Sequence, residues 1–398
     1  MMLRSIDFIQ SEGTPLEWRL SGLTLRQINL IVGKNACGKS KALDAIGELA
    51  ELVSGSRRLD PAREQDISCV ARFDHGAGGA ETVYSFKVVG SRVVRENLRI
   101  GAEDKVERGA GGAGRIYFDK LSRFLEFQSP EDDLACVSRR DSIQHPYLEA
   151  LNGWGRGSHH YRFNSLDLGK HSVFSASATM KLEGEANGRR ASLLPVQYVY
   201  LAGITRLGDA FRASILADMR KIGYPLQRIS FMLFDRAQRQ VLQKDVGEDL
   251  VCLCVDEDGV GNAIDQFAMS DGMFRTLAIL IHVTYAAMIG KPSCVVIDDV
   301  GEGLDYERSC LLIELLIEKA QKTGVQIIMA TNDRFVMNNV PLEHWTILNR
   351  ERTERGTRVE VYNYETHKKV FDAFAYTGLN NFDFFATRFF EEGVGERA

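Results

Sequence analysis

No surplus of positive charge marks this chain. Its formal net charge is −5, which excludes a polybasic coat while leaving room for a local basic patch. No metal-ligand spacing occurs among its seven cysteines. Cys252 and Cys254 come nearest, two apart in the strand-like run Leu250-Val251-Cys252-Leu253-Cys254-Val255. Alternation places both on one face of a strand, so packing accounts for them better than a metal does. Reduced thiols and a cytoplasmic location are expected. No heptad pattern is sustained, which argues against a coiled-coil arm, and no segment repeats. The first residues, Met1-Met2-Leu3-Arg4-Ser5-Ile6-Asp7, do not read as a signal peptide. The most apolar helical stretch, Met273–Ile289, carries Arg275 and His282 and is short for a bilayer crossing. It reads as a buried core helix, and no membrane contact is expected. What is left is the composition of an ordinary soluble protein, 44% apolar and 26% charged over 398 residues, enough for one large domain or two.

What the chain does have is a phosphate loop. Gly33-Lys34-Asn35-Ala36-Cys37-Gly38-Lys39-Ser40 matches G-x-x-x-x-G-K-[ST]. The apolar run Ile28-Asn29-Leu30-Ile31-Val32 precedes it as a strand, and Lys41-Ala42-Leu43-Asp44-Ala45-Ile46 follows as a helix. That order is the one the motif requires. Glycines let backbone N–H groups turn toward a triphosphate, and the helix start adds partial positive charge. Lys39 should reach the β- and γ-phosphates of ATP, and Ser40 should hold Mg²⁺.

Such a loop needs an acidic partner for the cation. Val295-Val296-Ile297-Asp298-Asp299 supplies one, an apolar strand ending in carboxylates. Asp298 is the expected Mg²⁺ contact, directly or through water. Asp299 follows it, where a carboxylate can orient or deprotonate the attacking water. Between the two motifs, alternating runs at Cys69–Phe73 and Val83–Val89 suggest an antiparallel sheet beside the phosphate loop. Short and longer helices are expected at Pro146–Leu151 and Ile204–Ile222. The final strands pair as a hairpin, Trp345–Leu348 with Val359–Tyr362, separated by the polar segment Asn349–Gly356.

Three further pieces stand in order. Met269-Ser270-Asp271-Gly272-Met273 precedes the apolar helix, Gly301-Glu302-Gly303-Leu304-Asp305 follows the acidic pair, and Ala330-Thr331-Asn332-Asp333 follows the next strand. In this arrangement the chain resembles the ATP-binding-cassette (ABC) ATPases. Ser270 and Gly272 match the Ser and second Gly of that family's signature loop, Asp305 its D-loop aspartate, and Asn332 the place of its switch histidine. Ser-Asp-Gly in place of Ser-Gly-Gly sets the chain apart from transporter subunits. It is more similar to the soluble heads of the SMC, RecF and OLD type and to short ATPases of bacterial antiviral systems. The resemblance covers Leu3 to about Leu52 and about Ile229 to Tyr362. It implies an α/β P-loop NTPase: an ABC-ATPase head with an antiparallel β subdomain, a mixed central sheet and a helical or mixed insertion. Residues 1–115 would form lobe I with the phosphate loop, 116–228 an insertion of unassigned fold, and 229–398 lobe II with the signature, the acidic pair, the D-loop and a tail. It also implies a head-to-tail homodimer in which Ser270 of one copy meets the γ-phosphate bound to the other. The physics of these residue types agrees. A serine at a helix start can donate to a phosphate, a glycine permits close backbone approach, and such a dimer is isologous.

Two positions depart from the family pattern. Asp299 replaces the usual glutamate and is one methylene shorter, with Glu302 a nearby substitute. Asn332 can hydrogen-bond but carries no proton as histidine does. Slow hydrolysis of ATP is therefore expected. Gln128, or else Gln144, is the candidate glutamine contact to Mg²⁺. The tail's phenylalanines, from Phe371 to Phe390, either dock on the core or form a partner surface. Arg139-Arg140 and Arg189-Arg190 are candidate nucleic-acid contacts, although solvated charge is the commoner reading of such pairs. The function implied by the resemblance is an ATPase whose ATP-dependent dimerisation regulates a separate effector, a nuclease or toxin of phage defence. The alternative is a RecF-like DNA-binding repair clamp.

Overall fold

The computed structural model describes residues 1–59, 66–76, 79–161, 170, 174–175, 196–233, 250–290, 293–354 and 356–391. The Arg189-Arg190 pair lies outside them. The first strands are β1 (Met2–Gln10), β2 (Glu17–Thr24), β3 (Ile28–Val32), β4 (Ile67–Asp74), β5 (Thr82–Val89), β6 (Arg92–Ile100), β7 (Glu103–Arg108), β8 (Ala113–Phe118) and β9 (Arg123–Gln128). They continue with β10 (Ser158–Tyr161), β11 (Phe174–Ser175), β12 (Leu226–Leu233), β13 (Leu250–Glu257), β14 (Ile264–Asp265), β15 (Cys294–Ile297), β16 (Gln326–Thr331), β17 (Trp345–Thr353) and β18 (Gly356–Asn363). The α-helices are α1 (Lys39–Ser54), α2 (Ala135–Ser138), α3 (Tyr147–Arg156), α4 (Val196–Lys221), α5 (Asp271–Ile289), α6 (Tyr306–Thr323), α7 (Arg334–Asn339), α8 (Lys368–Ala375) and α9 (Asn381–Ala386). Two compact units emerge: Met1–His160 with Pro292–Asp298 and Gln326–Ala398, and Tyr161–Lys291 with Asp299–Val325.

The first unit is built on one fourteen-stranded sheet in the order β10-β15-β16-β3-β17-β18-β2-β1-β4-β5-β6-β7-β8-β9. Strands β15, β16, β3 and β17 run parallel. Every residue of β15, β16 and β3 is buried, as expected of parallel strands covered on both faces. From β1 through β4 to β9 the neighbours are antiparallel. There β4 and β5 alternate buried and half-exposed residues, the pattern of a sheet with one wet face. The antiparallel subdomain is thus continuous with the central sheet.

Helix α1 buries Ala42, Leu43, Ile46, Leu49 and Val53 against this sheet. Helix α3 packs on it closely, because a Cβ on Gly155 would stand 2.7 Å from the Ala50 carbonyl oxygen. Asn152 of α3 donates to the Val53 and Ser54 carbonyls, both at 3.1 Å, and so satisfies oxygens that the end of α1 leaves unpaired. The tail docks on its own unit. Phe371, Phe374, Phe384 and Phe390 are buried, and the Phe371 and Phe384 rings meet edge to face at 4.6 Å. Arg139 and Arg140 are held by Ser129 and Asn152, at 3.1 and 2.6 Å, which ties the pair into the fold.

The polar segment Asn349–Gly356 does not separate the two strands of the hairpin but belongs largely to them. β17 runs on to Thr353, which pairs with Gly356. Residues 351–354 are exposed, so polar side chains are compatible with strand there.

The second unit places β11, β13, β12 and β14 in a small antiparallel sheet, beside α4, α5 and α6. Helix α5 is long and apolar enough to cross a membrane, but 72% of its most apolar window is buried within the fold. Gly203 makes room for the Phe211 ring, which would otherwise stand 2.1 Å from a Cβ. Cys252 and Cys254 are buried, and all seven cysteines are free thiols.

Candidate functional site

In the first unit, β3 delivers the chain into the phosphate loop, and the loop closes on itself. Ala36 (φ 62°) and Gly38 (φ 107°) both take left-handed backbone conformations, and Gly38 caps the start of α1. Cys37 N–H donates to the Lys34 carbonyl at 3.2 Å. A Cβ on Gly33 would lie 2.5 Å from Cys37 Sγ and 2.6 Å from the Leu348 carbonyl oxygen, so no larger residue fits. Lys39 is only 7% exposed. Its Nζ donates to the Gly33 and Lys34 carbonyls at 3.0 and 3.4 Å, which leaves a third N–H for a phosphate oxygen. Burial pushes the Cys37 thiol above its ordinary range, partly offset by the Lys39 charge. Lys34, Asn35, Ala36 and Ser40 are exposed.

A cleft of about 540 Å³ opens beside this loop, lined by Leu16, Trp18, Lys39, Ser40, Lys41 and Arg350. Lys41 stacks its ammonium over Trp18, 4.8 Å from the ring centre. Arg350 Nη1 donates to the Ala36 carbonyl and Nη2 to Thr357 Oγ1, each at 3.2 Å. Sequence reasoning missed Trp18, Lys41 and Arg350. Only the length of the β17–β18 hairpin could have signalled Arg350, because it brings a residue from far along the chain over the loop.

Asp298 follows the last residue of β15. The order β15-β16-β3 puts its strand end on the same edge as the phosphate loop, the carboxyl-end edge where open α/β sheets bind ligands. Asp298 is 9% exposed, and its buried Oδ1 has no hydrogen-bond partner among the described residues. An orphaned carboxylate oxygen fits a hard divalent cation such as Mg²⁺, which takes oxygen ligands and water. Asn332 stands just beyond β16, with its Nδ2 2.5 Å from Asn35 Oδ1.

Gln128 is not brought to this place. It ends β9, the far edge strand, ten strands along the sheet from β3, and its amide donates to the Gly111 carbonyl at 2.6 Å. It pairs with Ala113 across the antiparallel strands β8 and β9. Gln144 lies in an exposed turn, with its N–H donating to Asp141 Oδ1 at 2.8 Å.

In the second unit the signature and D-loop residues meet. Ser270 caps α5 by accepting from Met273 N–H at 3.2 Å, so its own O–H keeps its donor capacity. A Cβ on Gly272 would stand 2.3 Å from the Gly303 carbonyl oxygen and 2.9 Å from Leu304. Gly272 therefore lets the backbone of the signature pass close to Gly303 of the same chain. Arg275 Nη1 donates to the Glu302 carbonyl at 3.1 Å and lies 3.4 Å from its carboxylate. Asp305 caps α6, accepting from Arg308 N–H at 2.9 Å, and pairs with the Arg308 guanidinium at 2.9 Å. Asp299 is half-buried with φ 49°, a left-handed conformation that aspartate tolerates better than most residues.

No protein-family model and no curated protein matches the chain. Among solved structures it is similar to an SMC head bound to the C-winged helix domain of ScpA, at 11% identity, 93% coverage of this chain, 100% of that one and a TM-score of 0.55. It is also similar to an SMC head domain with an extended coiled coil bound to the C-terminal domain of ScpA derived from Pyrococcus furiosus. That match has 11% identity, 94% and 99% coverage, and a TM-score of 0.50. The fold is that of an SMC head. This is the ABC-type P-loop NTPase architecture, with its large mixed sheet, that the motifs implied.

Proposed function

We propose that this chain is a slow, Mg²⁺-dependent ATPase that dimerises head to tail on ATP and thereby controls a separate effector protein. The observation that carries the reading is the pairing of a closed phosphate loop, with Lys39 curled over Gly33, and a buried Asp298 oxygen that has no hydrogen-bond partner among the described residues. Lys39 would bind the β- and γ-phosphates of the substrate. Ser40 and Asp298 would hold Mg²⁺, which when bound offsets charge on those phosphates. Asp299 would orient and deprotonate the attacking water, with Glu302 the weaker candidate because Arg275 already engages it. Asn332 would donate its amide toward the γ-phosphate or the water. Ser270 and Gly272 of a second copy, with Asp305 beside them, would complete the pocket. The SMC heads of similar fold are bound to ScpA, which supports a separate protein partner here. The sequence resemblance suggests a nuclease or toxin of phage defence in that role.

The test is nucleotide titration with light scattering. Wild-type chain should bind ATP and double in mass, Lys39→Ala should lose binding, and Ser270→Arg should bind ATP yet stay monomeric. A Ser270→Arg dimer would remove the trans-signature element. ATP-dependent, salt-sensitive DNA binding by the chain alone would favour the repair clamp instead.

A further inference from the structure

The middle residue of the signature, Asp271, puts a carboxylate beside the one hydroxyl meant to face a phosphate. It occupies the first turn of α5, where it takes up the positive end of the helix dipole that an anionic ligand would otherwise use. Unpaired, it would repel an approaching triphosphate.

Lys170 answers this charge. Its ammonium pairs with Asp271 Oδ1 and also donates to the Met269 carbonyl at 2.8 Å. The two contacts flank Ser270 on either side. Lys170 is itself anchored, because its carbonyl accepts from Gln266 Nε2 at 2.9 Å. Gln266 is fully buried and is held in turn by Leu253 N–H at 2.9 Å and Gln197 Nε2 at 3.0 Å. The ammonium therefore reaches the signature loop from a fixed point in the fold. Its neighbours follow the same rule. Glu302 is paired with Arg275 and Asp305 with Arg308, so each of these three carboxylates beside the signature and D-loop has a cation on it.

We propose that Lys170 is a positioning residue of the signature loop, whose ammonium neutralises Asp271 and brackets Ser270 so that the Ser270 hydroxyl can meet the γ-phosphate of ATP held by a second copy. This rests on the trans-signature dimer proposed above. On this reading Lys170 serves the nucleotide held by the other copy, so its loss should act on dimer closure and leave first-site binding alone.

The experiment is a double-mutant cycle read by ATP affinity and by the ATP-dependent dimer dissociation constant. Lys170→Met should leave ATP affinity within about twofold and weaken the dimer by about tenfold, because the Asp271 charge would then oppose the approaching triphosphate unanswered. Lys170→Arg should restore most of the loss. In an Asp271→Gly background, Lys170→Met should change dimerisation by less than about twofold, because the charge it answers is gone. An equal loss in both backgrounds would overturn the proposal in favour of simple loop stability, as would no loss in either. A wild-type chain that stays monomeric with ATP, or a Ser270→Arg dimer, would sink the dimer reading and the inference with it. Those outcomes are separate from a cycle that fails while Ser270→Arg still blocks assembly.

Discussion

Asn332 Nδ2 lies 2.5 Å from Asn35 Oδ1, so the loop that follows β16 is tied to the phosphate loop by two neutral amides. Neither group titrates near neutrality. ATP hydrolysis by the wild-type chain should therefore carry no pH step from this position. Asn332→Ala should slow hydrolysis by roughly tenfold to a hundredfold with ATP affinity nearly unchanged, the pattern of a donor used in the transition state. Asn332→His should introduce a step at about pH 6.5, the ordinary histidine range. Steady-state rates from pH 5.5 to 8.5 would show it. A wild-type profile with the same step would assign it to another group.

The ease with which the sequence could be read followed the distance over which each part is assembled. Gly33 to Ser40 is contiguous and flanked by a fully buried strand and an amphipathic helix, so periodicity and motif agree. The place of Asp298 at a strand end was legible for the same reason, after the apolar run Cys294–Ile297. Arg350 was not, because its place over Ala36 depends on the parallel pairing of β17 with β3 and a hairpin that outlasts its apolar part. Gln128 failed for the complementary reason. A glutamine carries no local mark of which strand edge it will reach, and seven antiparallel strands took it to the far side of the sheet.

Buried thiols give the fold an alkaline limit. Burial pushes Cys294 up to about 12 and Cys252 up to about 11. Above about pH 8.5 the unfolded chain releases these protons while the folded chain keeps them, so the unfolded state binds fewer protons and stability falls as pH rises. Melting temperature should be flat near pH 7.5 and drop toward pH 10. Cys294→Ala should make that drop shallower. An unchanged slope in the variant would show that other groups set it.

Gly272 tests the contact between the signature and the D-loop within one chain. The 2.3 Å approach of its missing Cβ to the Gly303 carbonyl oxygen means Gly272→Ala must push backbone apart, at a cost of about 1–3 kcal/mol. Denaturant unfolding should register that loss, and ATP-dependent dimers should weaken with it. ATP affinity should stay near wild type. Gly33→Ala gives the opposite pattern, because its Cβ would strike Cys37 Sγ and the Leu348 carbonyl oxygen. It should abolish nucleotide binding.

Asp299 holds both a strained backbone, at φ 49°, and the proposed catalytic carboxylate, so the choice of substitution decides what is measured. Alanine would remove the charge and also a residue type suited to the left-handed region. Asparagine removes the charge alone, since it tolerates that conformation at least as well. Asp299→Asn should therefore fold as wild type, bind ATP with the same affinity, and hydrolyse it at least about a hundredfold more slowly, the lower end for loss of a general base. Dimers should accumulate because the step that releases them is blocked. Single-turnover hydrolysis and mass measurement on the same sample would separate the two effects. Wild-type turnover in Asp299→Asn would move the role to Glu302, and Glu302→Gln would then carry the loss.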